Sequence, residues 1–240
     1  MPKLTVDVFA QDVARALGDR LVALLLYGSA ARAAPVSALS DVNTLLVCDG
    51  ADEELFSRLA PPVRAWTRAG HPAPLILTER EWREAADAFP IEYQDMRDAH
   101  RLLAGRDPWP GITVQPEHVR RQLEHELMGK LVHLRQAYAT LRSQPKRLAE
   151  VIAGSTGGFF TMLRAALRLA GKTPSVAPEA LVREAGSAMG FAPEGLARLV
   201  AYATFGRALK LTPGDPLPAV YLGSVARTAE YVNRMERTRS

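Results

Sequence analysis

The chain has 240 residues, 48% hydrophobic and 23% charged, with a formal net charge of +4, which places it among ordinary globular proteins and excludes a disordered or collagen-like one. The longest unbroken apolar run, LVALLLY, is far short of a membrane span, and the first residues carry acids, so a soluble cytoplasmic protein is expected. The single cysteine, Cys48, excludes an internal disulfide and any cysteine-based metal site; within the run TLLVC it reads as a buried thiol without chemistry.

Residues 5–17 place apolar side chains at Val8, Val13, Ala14 and Leu17 before Gly18, predicting a short amphipathic helix with a glycine C-cap. LVALLLYG then reads as a strand ending in Gly28-Ser29, and DVNTLLVCDG as a second strand after a loop. An acidic start at Asp52 and helical periodicity up to Gly70 predict a helix bent or restarted at Pro61-Pro62. PLILT, residues 74–78, predicts a third strand. Strands alternating with helices point to a small mixed sheet covered on at least one face.

Past Pro110 the periods are helical throughout. A long helix is expected over 116–143, with Val119, Leu123, Leu127, Leu131, Leu134 and Tyr138 on its buried stripe. A second spans 146–170, with a kink or close crossing expected around Gly154 and Gly157-Gly158, and shorter helices follow near 178–188, 193–209 and 217–237. The breaker-rich stretch RDPWPGITVQ sets a boundary, giving an α+β fold with an α/β domain over 1–110 and an all-helical bundle over 111–240. Residues 1–110 hold 12 Lys and Arg against 16 Asp and Glu, the remainder 18 against 10. The basic second half suits nucleotide phosphates, nucleic acid, or a complementary interface with the acidic first half. Gly171-Lys172-Thr173 mimics the end of a P-loop, but it leaves a helix and lacks the upstream glycine, so it reads as a helix C-cap.

The chemistry concentrates in LLYGSAARAAPVSALSDVNTLLV, residues 24–46. Two side chains two residues apart on a strand share a face, so Asp41 and Asn43 project together. Gly28-Ser29, eleven intervening residues and Asp41-x-Asn43 heading an apolar strand resemble the Gly-Ser…Asp-x-Asp signature of the DNA polymerase beta-like nucleotidyltransferase superfamily. The order of an α/β half before a helical one looks most like its aminoglycoside-nucleotidyltransferase branch. The resemblance implies a small mixed-sheet nucleotidyltransferase domain in which Gly28 and Ser29 approach nucleotide phosphates; Arg32 in the same loop is a further candidate for a triphosphate contact, with a solvated side chain as its plainer reading. It further implies Asp41 and position 43 holding Mg2+ with a nucleoside triphosphate, helped by a third acid on a later strand.

Two features depart from that signature. Position 43 is an amide, and Ala73-Pro74-Leu75-Ile76-Leu77-Thr78 contains no carboxylate. Each missing charge removes about 4 kcal/mol of contact interaction under surface-like screening, so Asp41 alone does not replace the set. Glu79, Glu92 and Asp95 are the candidate substitutes, with solvated or capping roles as their plainer reading. His118, His125 and His133 read as exposed imidazoles on the long helix, and Glu124, Lys130 and Arg135 as helical ion-pairing residues.

Three functions are compatible with these residues. One is a nucleotidyltransferase-superfamily pseudoenzyme with a degenerate metal site, acting as a nucleotide-binding or regulatory module. Another is an active magnesium-dependent nucleotidyltransferase that modifies a small hydroxylated molecule or a protein, with Asp41 and a relocated acid such as Glu92 holding the metal. A third is an RNA- or partner-binding protein acting through its basic helical half.

Overall fold

A computed structural model describes residues 4–31 and 42–237, with side chains up to residue 235. The chain combines a four-stranded mixed sheet with many helices. It divides into two compact units, one ending at Val114 and the other beginning at Gln115.

In the first unit, helix α1 (Val6–Leu17) is capped by the Thr5 hydroxyl, which accepts from the Val8 amide, and it ends at Gly18 with φ 55°. Its buried face is Phe9, Ala10, Val13 and Leu17; Val8, expected on that face, is 42% exposed, so the true stripe lies one position further round. Strand β1 (Leu21–Tyr27) lies between two antiparallel neighbours, β2 (Asn43–Cys48) and β4 (His100–Gly105). Strand β3 (Leu75–Thr78) pairs in parallel with β2, giving the order β3-β2-β1-β4. The fourth strand was not anticipated: it is an edge strand with one hydrogen-bonded neighbour and shows no clean alternation of burial.

Both faces of the sheet are covered. Leu24, Leu46 and Cys48 pack with α1 and with Leu55, Leu59 and Trp66 of α2 (Glu53–Arg68). On the other face Leu25, Leu45 and Val47 pack with Trp82 of α3 (Glu79–Glu84) and with Tyr93 and Met96 of α4 (Pro90–Asp98).

Of the bend or restart expected at Pro61-Pro62, the restart is absent: α2 is one continuous helix through both prolines. Leu55, Leu59, Pro62 and Trp66 form its buried stripe, and only an unbroken helix keeps all four against the sheet. The prolines remove the amides that would serve the carbonyls of Ser57 and Arg58, and both residues lie on the exposed side of the helix.

The second unit contains no strand among its described residues. Helix α5 (Pro116–Leu141) buries Val119, Leu123, Leu127, Leu131 and Leu134, while Tyr138 is only half-buried. Helix α6 (Pro145–Leu169) runs unbroken through Gly154, Gly157 and Gly158. Gly154 and Gly157 face open space, and Gly158 faces the Lys130 side chain, whose ammonium donates to the Ser155 carbonyl at 3.0 Å. Helices α7 (Pro178–Met189), α8 (Ala197–Phe205) and α9 (Leu217–Arg237) complete the unit. Gly171-Lys172-Thr173 follows the end of α6, where the Lys172 amide donates back to Leu167, so the P-loop mimic is a helix terminus. No described helix is long and apolar enough to cross a membrane.

Candidate functional site

The site is built from the end of the sheet where β1 stops and β2 starts. An apolar strand buried on both faces leaves the core at Tyr27, and the chain turns at once into a short 3-10 segment, Gly28–Ala31. Gly28 has φ 77°, a conformation that suits glycine, and its amide donates to the Ala99 carbonyl at 3.0 Å. That amide is therefore committed to holding the turn. The Ser29 side chain is exposed.

Across the rung from Tyr27 stands Asn43. A Cβ at Gly28 would lie 3.6 Å from the Asn43 Nδ2, so the amide packs directly on the bare face of the turn. By strand parity Asn43 shares its face with Leu45 and Val47, the face covered by α3 and α4. Arg32 and Asp41 lie outside the described residues.

The substitute acids are placed very differently. Because β3 is parallel to β2 and Thr78 pairs with Cys48, Glu79 emerges at the opposite end of the sheet from Asn43. Five strand steps separate the two ends, roughly 16 Å. There Glu79 accepts from Arg83 at 2.9 Å and Arg106 at 2.7 Å, and these two guanidinium groups hold its carboxyl below the usual range. Glu79 thus ties α3 to the end of β4 and is not brought to the turn. The third-strand position that continues the register to Asn43 is Ala73, which carries no acid.

Glu92 sits in the first turn of α4 and is exposed, yet its charge acts on the site: the Tyr27 phenol is pushed up by burial and then by Glu92. Asp95 is half-buried and three residues further along α4, on the same side of the helix as Glu92. The remaining sequence candidates have other roles. Glu124 pairs with Arg120 at 2.6 Å, and His125 and His133 are exposed on α5.

Two residues that the sequence reading did not single out belong to this end of the sheet. Tyr27 lies between Asn43 and His100, paired with both. His100 opens β4 and lies beside Trp109, ring centroids 5.3 Å apart. The short run HRLLAG, closed by Gly105, is the only local sign of that strand, and nothing local brings its first residue beside Tyr27.

Among the described residues no group of three His, Cys, Asp or Glu side chains is placed to hold a metal ion. With an amide on the rung nearest the turn, these residues do not by themselves fit magnesium, which is bound through carboxylates and phosphates. No protein-family model matches the chain, and no curated protein matches it.

Proposed function

We propose that the α/β unit has the nucleotidyltransferase fold and serves as a nucleotide-binding or regulatory module whose metal site is degenerate, with Asn43 where a second carboxylate would stand. One observation carries the reading: the Asn43 amide stands against the Gly28 turn, on the rung next to the place where phosphates would enter. A strand, a glycine turn and an antiparallel second strand beginning on a polar residue support the superfamily reading. An amide in that place supports binding over transfer, since it brings no charge to a cation that bridges phosphates.

Isothermal titration of the full chain with the magnesium complexes of ATP, GTP, CTP and UTP tests the reading. Binding of at least one of them, little changed when EDTA replaces magnesium, is the expected result. Efficient transfer of a nucleotidyl group to any hydroxylated acceptor would refute it. The transferase reading is favoured by one feature, the Glu92 charge felt at Tyr27, and predicts that Glu92→Gln abolishes such transfer.

A further inference from the structure

Asn43, Tyr27 and His100 form one row across three strands, since Tyr27 pairs with Asn43 on one side and His100 on the other. Directly paired residues project to the same face, and neighbouring strands lie about 5 Å apart, so the His100 ring stands on the same side as the Asn43 amide. The turn is stitched to this row where the Gly28 amide donates to Ala99, the residue just before His100.

The protonation of the His100 ring is dictated by its neighbours. Its Nδ1 lies 3.0 Å from the Met96 carbonyl oxygen and 3.1 Å from that of Arg97, both in the last turn of α4. A carbonyl oxygen only accepts, so Nδ1 carries the hydrogen. In the neutral imidazole the other nitrogen, Nε2, is then an unprotonated lone pair. Among the described residues nothing donates to Nε2; the ring's other neighbour is Trp109, tilted by 51°.

An imidazole held in this tautomer discriminates between ligands. Its lone pair repels phosphate oxygens, and a single imidazole without two further ligating groups does not hold a metal ion. It accepts from a hydroxyl. We propose that His100 is a hydroxyl-recognition residue: Nε2 accepts a hydrogen bond from a hydroxyl group of the ligand that binds at the Gly28-Ser29 turn. The hydroxyl belongs either to the ribose of a nucleotide or to a separate polyol beside it. This rests on the nucleotide-binding reading above and extends it to the selection of the ligand's hydroxyl.

Long-range proton–nitrogen NMR of the uniformly labelled full chain tests the tautomer directly, with Mg-ATP, Mg-2′,3′-dideoxy-ATP and myo-inositol as probes. The Nδ1–H tautomer is expected in the free protein, with a shift of the Nε2 signal when ATP or inositol is added. A ribose source is identified by a shift with ATP and none with the dideoxy analogue; a polyol source by a shift with inositol. His100→Asn keeps a donor for the Met96 and Arg97 carbonyls and removes Nε2, and should weaken binding of the responding probe about 3- to 10-fold, the usual worth of one hydrogen bond.

An Nε2–H tautomer in the free protein overturns the proposal, as does probe binding with unmoved His100 signals or unchanged affinity in His100→Asn. If wild-type protein binds neither nucleotide nor inositol, the proposal falls together with the nucleotide-binding reading. Binding with a silent His100 removes the proposal alone.

Discussion

The amide nitrogen of Asn43 lies 3.6 Å from the point where a Cβ at Gly28 would stand, across the rung that joins β2 to the end of β1. The residue without a side chain and the residue without a charge are thus neighbours. Gly28→Ala meets no backbone clash but is strained by its φ of 77°. A cost of about 1–2 kcal/mol is expected, with folding retained and nucleotide affinity reduced. Gly105→Ala is the contrasting control, because its Cβ would lie 2.3 Å from the Val22 carbonyl oxygen at φ 83°. Thermal melts of the two variants should show a markedly greater loss for Gly105→Ala.

A carboxylate placed at position 43 should make stability and ligand binding depend on magnesium. In Asn43→Asp the new charge faces Tyr27 across its rung and the bare face of the Gly28 turn. Melting temperature in EDTA should fall below that of the wild type and recover in magnesium, and Mg-ATP should bind several-fold more tightly. Identical melts in EDTA and magnesium would show that the turn does not accept a cation even when charged.

Acid sensitivity has an identifiable source at the far end of the sheet. Asp52 caps α2 by accepting from the Leu55 amide at 2.8 Å and is bonded by Arg20 at 2.7 and 2.9 Å. The Arg20 guanidinium, and then the cap amide, bring its carboxyl down to about 2. A depressed folded-state pKa adds stability that is complete above the unfolded value, about 4, and is lost as pH falls through about 2. Asp52→Asn keeps a capping oxygen but cannot titrate, so its melting temperature should change less between about pH 5 and about pH 2 than that of the wild type.

The alkaline limb has the opposite sign. The Tyr93 hydroxyl donates to the Trp82 carbonyl at 2.6 Å beneath their stacked rings, and burial pushes its pKa well up. A raised folded-state value adds stability that is complete below the unfolded value, about 10, and declines above it. Tyr93→Phe should lower stability by about 1 kcal/mol at neutral pH, leaving the Trp82 carbonyl unserved, and should flatten the loss between about pH 9 and about pH 11. Urea midpoints at the two pH values provide the measurement.

Cys48 is fully buried in β2, and burial, reinforced by the charge of Asp49, pushes its thiol up to about 11. Ellman's reagent at pH 8 should leave the native protein unmodified and titrate one thiol in denaturant. Rapid labelling of native protein would mean that β2 opens readily.

Much of the local structure was legible because its signals are local. Apolar spacing on α5 and α6, the proline that opens α5, and the glycines at 18 and 171 mark elements through contacts within one or two turns. The three strands bearing unbroken apolar runs were legible for the same reason. Periodicity is blind, however, to which strand lies beside which. Glu79, adjacent in sequence to the expected third-ligand position, lies at the wrong end of the sheet because β3 is parallel to β2. The α2 prolines read as a bend or a restart, and the restart is removed because Leu55, Leu59 and Trp66 on either side of them pack into one core.

By itself the sequence determined the residue types at the turn: a glycine free to take a positive φ, a serine, and an amide heading the next strand. The tertiary structure alone decided which other side chains meet them, placing His100 two strands away from Asn43 and removing Glu79. The reason is physical. Backbone conformation follows from neighbours along the chain, whereas strand order and register follow from burying both faces of the sheet at once, a condition satisfied only by residues far apart in sequence.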